Sequence, residues 1–167
     1  PVNERIAGAS GDRGTDGRTT DGGATWLAAQ VKGAEHRQFR DVHALSENVA
    51  WLLSIGPADS SRIYRTRDAG LTWELQFTNT VATAFYDCFA FWDERRALAI
   101  SDAVDGKTML SRTTDGVHWN LIPPGQLPAA LPGEGSLAAS GTCLISRPGG
   151  TAWIAVTGTR ARLLHTS

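Results

Sequence analysis

Short apolar runs separated by Gly, Asp, Pro and Ser recur along the chain: 49–55, 62–66 and 73–77, then 97–100, 109–113 and 119–122, and later 152–156. Each run has strand length, is rich in β-branched and aromatic residues, and is bounded by turn residues. No window sustains a 3.6-residue period, so no long helix is predicted. The pattern predicts an all-β chain of many short antiparallel strands.

The turns repeat as well. Three segments share one signature: 19–26 (Thr19, Asp21, Gly23, Trp26), 66–73 (Thr66, Asp68, Gly70, Trp73) and 113–119 (Thr113, Asp115, Gly116, Trp119). Asp21 and Asp68 lie 47 residues apart, as do Asp68 and Asp115, and the third copy is one residue shorter before its Trp. A fixed period of this length with four strand-like runs per repeat is the signature of propeller blades. In each copy the carboxylate can accept backbone N–H bonds across a hairpin turn, the Thr hydroxyl can join it, and Gly can take positive φ. The three Asp residues are accordingly assigned to their own turns, and the three Trp rings are expected to be buried between sheets.

These residues resemble the Asp box, or BNR repeat, of sialidases, xyloglucan-degrading enzymes and sortilin-type receptors. The segments 39–55 and 85–102, with Gly133-Glu134-Gly135, are more similar to bacterial secreted propellers of the photosystem II stability/assembly factor type. The resemblance implies a β-propeller and an extracellular or periplasmic location, although no signal peptide stands at Pro1-Val2-Asn3.

Blade boundaries follow from the period: a partial blade at 1–32, whole blades at 33–80 and 81–123, and a partial blade at 124–167. The result is an arc of about 3.5 four-stranded blades, whereas rings hold 4 to 8. Either a longer protein completes a six- or seven-bladed ring, or two copies do; self-association, as a homodimer, is therefore expected.

Composition narrows function by exclusion. A net charge of −1 gives no electrostatic case for nucleic acid, and no apolar run approaches a membrane span. His36, His43, His118 and His165 lack metal-ligand spacing, so no metal is assigned. Gly106-Lys107-Thr108 has Ser101 where a P-loop needs glycine, so no cofactor is assigned either. Cys88 and Cys143 form no CxxC pair. Aligning Cys88 with Thr142 and Cys143 with Phe89 sends the two thiols to opposite faces, so a bond between them is not expected.

Candidate chemistry is confined to carboxylates. Asp41 and Asp87 align at the start of the innermost strand of successive blades, and Asp102 follows on a nearby loop. Such a group at a channel mouth could do acid/base work. A sialidase site would need a tyrosine nucleophile, for which only Tyr64 and Tyr86 are available. Two functions are carried forward. The first is a non-catalytic binding or assembly propeller that holds a protein or glycan with its loops and channel mouth. The alternative is a glycoside hydrolase using Asp41, Asp87 and Asp102.

Overall fold

The computed structural model describes residues 1–138 and 141–166. Four antiparallel sheets follow one another along the chain, each a simple up-and-down meander. The first has three strands, β1 (Ala7–Ser10), β2 (Thr15–Thr19) and β3 (Leu27–Gln30). The second has four, β4 (Gln38–Ala44), β5 (Ala50–Ile55), β6 (Arg62–Thr66) and β7 (Glu74–Thr78). The third is β8 (Tyr86–Phe91), β9 (Ala97–Val104), β10 (Lys107–Thr113) and β11 (Asn120–Leu121). The fourth is β12 (Leu144–Arg147), β13 (Thr151–Val156) and β14 (Arg162–Thr166). The only helical turns among the described residues are single 3-10 turns at Ala58–Ser60 and Pro124–Gln126. None is long and apolar enough to cross a membrane.

The sheets stack face to face, and the core lies between them as three clusters. Phe39, Leu52 and Tyr64 join the first sheet to the second; Trp51, Phe89 and Phe91 join the second to the third; Cys88, Leu98, Ile154 and Val156 join the third to the fourth. The innermost strand of the third sheet, β8, is covered on both sides by neighbouring sheets, which is why it is buried at every position. Burial fades outward, so that β3 is exposed throughout. This is the layering of propeller blades in an open arc.

The interface between the second and third sheets is aromatic. Phe91 of β8 stacks on Trp51 of β5 at 4.2 Å between centroids. The guanidinium of Arg65 lies over the same Trp51 ring, 4.8 Å from its centroid. It also pairs with Glu94 at 2.6 Å and donates to the Gly116 carbonyl at 3.1 Å, so that a buried charge is paired and hydrogen-bonded.

Two expectations fail here. Cys88 and Cys143 form a disulfide, with Cα atoms 6.1 Å apart, closing a span of 55 residues. The register explains it. Leu144 pairs with Ile154 as Phe89 pairs with Ala99, so Leu144, and not Cys143, takes Phe89's place against the preceding sheet. Cys143 precedes β12 and falls opposite Cys88, where neighbouring innermost strands converge. Of the inner-strand copy expected at 139–145, Ala139 and Ser140 lie outside the described residues.

The tryptophans also divide. Trp73 and Trp119 are half-buried, each packed back against the preceding sheet, whereas Trp26 is 48% exposed. Each box Trp is covered by the sheet before it, and within this chain the first sheet has none. Trp119→Ala is therefore expected to cost about 3 kcal/mol in urea unfolding, whereas Trp26→Ala should cost under about 1 kcal/mol. Equal losses would contradict this packing.

Candidate functional site

Each Asp box closes on itself. Thr25 donates to Asp21 from its backbone N–H at 2.9 Å and from its hydroxyl at 2.6 Å, and the Thr19 hydroxyl donates at 2.8 Å. Gly23 N–H in turn donates to the Thr19 hydroxyl oxygen. Thr66, Asp68, Gly70 and Thr72 repeat the arrangement bond for bond. In the shortened copy His118 takes the place of the second Thr, and its Nδ1 lies 2.7 Å from Asp115. Bonds from Thr25, side chain first and then backbone, hold the Asp21 pKa down to about 2. Thr72 lowers Asp68 in the same way, and His118 lowers Asp115. Their acceptor capacity is directed into the hairpin. Gly116 must be glycine for a further reason, since a Cβ there would run into the Glu94 carbonyl oxygen.

The three inner carboxyls sit differently from expectation. Phe39 pairs with Ser54, and Tyr86 pairs with Ser101, so equivalent positions in these two sheets are 47 residues apart. Asp41 therefore corresponds to Cys88, and Asp87 corresponds to Arg40; Asp41 and Asp87 are not equivalents. Each sheet has a β-bulge here, at Arg40 and at Asp87, which places an extra residue on the inner strand.

Asp41 reaches across to the third sheet and accepts the Phe89 N–H at 3.0 Å, with its carboxyl pressed against Gly141. Asp102 accepts the Ser136 N–H at 3.0 Å and lies against Gly135. The structure brings Asp87 and Asp102 together side chain to side chain, while Asp41 sits with Phe89 and Gly141. Burial pushes Asp41 up to about 7. Burial first, and the neighbouring Asp102 second, pushes Asp87 up to about 8. A protonated Asp87 can donate to Asp102, so the two carboxyls share a proton at neutral pH.

Raised carboxyl pKa values accompany acid catalysis, but they also arise wherever a carboxyl is used as a buried tie. Asp41 is 8% exposed and Asp87 2%, so neither presents a face to a sugar ring. Tyr64 and Tyr86 are 4% and 2% exposed, and the Tyr86 hydroxyl is engaged with Ser111 at 2.5 Å. Sequence reasoning overlooked Glu134 as a tie of the same kind. It is buried between glycines and clamped by Arg162 at 2.7 Å. The Gly-Glu-Gly triplet was its one visible signal.

No protein-family model matches the sequence, and no curated protein matches it. Among solved structures the chain is similar to one described as YCF48 bound to D1 peptide, with a TM-score of 0.58 and 13% identity. The match covers 98% of this chain and 64% of that one, so this chain spans less than two thirds of its neighbour's length. The likeness supports the propeller fold.

Asp41 and Asp87 give the fold a pH dependence whose direction is fixed. In the unfolded chain an aspartate titrates near about 3.9. Between that pH and the folded values of about 7 and about 8, the folded state holds protons that the unfolded chain releases. Stability is thus fully present below the unfolded value and is lost as pH rises through the folded ones. Asp87→Asn, which keeps a donor for Asp102 at every pH, should flatten this loss and raise the Tm at pH 9 by about 3 °C, corresponding to about 1 kcal/mol. A Tm profile from pH 4 to 9 that is unchanged by the substitution would refute the shared proton.

Proposed function

We propose that this chain is a non-catalytic propeller module that binds an extended segment of a partner protein. One observation carries the reading: of the carboxyls that the hydrolase alternative requires, Asp41 and Asp87 are buried, and half-buried Asp102 is engaged by the Ser136 N–H and by Asp87. The peptide named with the YCF48 structure supports a polypeptide as the class of ligand for this fold. The Cys88–Cys143 disulfide supports an oxidising location, extracellular or periplasmic.

The end sheets favour a second kind of contact. Trp26 beside the first sheet is 48% exposed, and Ile145 and Leu163 on the fourth are 44% and 66% exposed. Apolar faces of this kind are covered between consecutive blades, and covering them with a second copy lowers the free energy by about 25 cal/mol per Å². Self-association through these faces belongs to the same reading.

Binding to an array of 15-residue peptides beside a glycan array tests the proposal, together with turnover of 4-methylumbelliferyl glycosides. Saturable capture of peptides, with no glycan capture and no turnover, is the expected result. Turnover that disappears in Asp87→Asn would replace this reading with the hydrolase.

A further inference from the structure

The three sheet-to-sheet interfaces are built from equivalent positions but are not filled alike. Arg18 and Arg65 each stand one residue before the box Thr, and their strand partners are Gly8 and Trp51. Gly8 therefore occupies the place of Trp51. By the same pairing Asp16, opposite Ser10, occupies the place of Ile63, opposite Leu53. Ala44, opposite Ala50, occupies the place of Phe91, opposite Ala97. Where the second and third sheets are joined by an indole stacked on a phenyl ring, the first and second meet across Gly8 and Ala44.

The missing rings leave a slot. Its enclosed part is about 40 Å³, and the half-buried Ala44 and Ala50 leave its outer part open to solvent. The walls are mainly apolar, with Arg18, Glu47, Asn48 and Thr66 among them, and two of the residues that line the slot carry a polar atom without a partner. Asp16 Oδ1 and Trp73 Nε1 are both buried and have no hydrogen-bond partner in the protein. They front the same space: the Cβ position of Gly70 lies 3.1 Å from Asp16 Oδ2 and 3.8 Å from Trp73 Nε1. Arg18, the nearest cation along the strand and itself part of the lining, donates to the Glu47 carbonyl at 3.1 Å. Burial accordingly raises the Asp16 pKa.

An unpaired acceptor and an unpaired donor sharing one space call for a group that gives one hydrogen bond and takes another. A hydroxyl does both. Water would serve the two polar atoms but would leave the apolar walls wet, whereas a phenol places its hydroxyl between them and its ring along the walls. We propose that the slot between the first and second sheets is a binding site for a phenolic ring, with the hydroxyl donating to Asp16 and accepting from Trp73 Nε1. The inference deepens the peptide-binding reading, because tyrosine is the phenol that a polypeptide carries. The slot is nonetheless testable without any peptide.

The probe is p-cresol, titrated into the intact chain by saturation-transfer NMR and tryptophan fluorescence, with toluene in parallel. Saturable binding with a Kd of about 1 mM or tighter is expected, and toluene should bind about tenfold more weakly because it lacks the hydroxyl. Asp16→Leu, which restores the residue type found at Ile63, should weaken p-cresol by about tenfold or more while raising the Tm. Ala44→Phe should abolish binding by filling the slot. Gly8→Leu is a second filling variant from the opposite wall, where a Cβ meets only ordinary contacts, 3.7 Å from Val42 Cγ2 and 3.8 Å from the Gly17 carbonyl oxygen. Absence of saturable p-cresol binding to the unaltered chain, or undiminished binding in both filled variants, overturns the site and leaves water as its occupant. Peptide capture without p-cresol binding would defeat the slot alone, and p-cresol binding without peptide capture would defeat the peptide-binding reading alone.

Discussion

The innermost strand of each sheet must be covered on both faces, and most of the structure follows from that constraint. A strand exposed on one side can alternate apolar and polar residues, whereas β8 cannot, and all six of its residues are buried. Beyond the bulge at Asp87, Phe89 and Phe91 pack back on the second sheet, and Cys88 and Ala90 pack forward on the fourth. Burial of this area supplies the main favourable term. The specific ties are then placed where burial makes them count. The Asp41 carboxyl on the Phe89 N–H, the Arg65 guanidinium on the Gly116 carbonyl and the Cys88–Cys143 bond each connect one sheet to the next.

Much of this was legible in the sequence, because a hairpin turn is a local device. The Asp box is satisfied by atoms within a few residues of itself, so its spelling, Thr, Asp, Gly and Trp, is enough to locate each outer hairpin and set the 47-residue period. Inner strands carry no such local spelling. Phe39-Arg40-Asp41 and Phe85-Tyr86-Asp87 look alike by residue type, and aligning them misplaces the strand by one position. The bulges at Arg40 and Asp87 conceal the slip, because the extra residue suspends the two-residue alternation where it would be noticed. That step accounts for the false equivalence of Asp41 with Asp87, and a separate one-residue slip, which put Cys143 where Leu144 belongs opposite Phe89, assigned the cysteines the wrong faces. Trp26 failed for another reason. Its own turn matches those of Trp73 and Trp119, but its burial depends on a sheet before it.

A repeat protein poses a particular difficulty for inferring function. Whatever recurs in every copy does the same mechanical work in every copy, as the bond from the box Thr hydroxyl to the box Asp does in all three. Such residues identify the architecture and are silent about the ligand. Information about function lies in the positions where one copy departs from the others, and these become visible only after the copies are brought into structural register.

In that register the three interfaces are unequal. The second-to-third interface is filled by aromatic rings, and the third-to-fourth is aliphatic and fastened by the disulfide. The first-to-second has Gly8, Asp16 and Ala44 where its neighbour has Trp51, Ile63 and Phe91. A packing defect alone would be expected to carry apolar atoms on all sides, since an empty apolar cavity costs less than one lined by unpaired polar groups. Here the smaller residues coincide with a carboxylate oxygen that lacks a partner, beside an indole N–H that is unpaired as its counterpart Trp119 Nε1 is in the next interface. Lost volume and gained polarity at one place are what a binding site requires, and together they separate this interface from a merely weaker copy of the next.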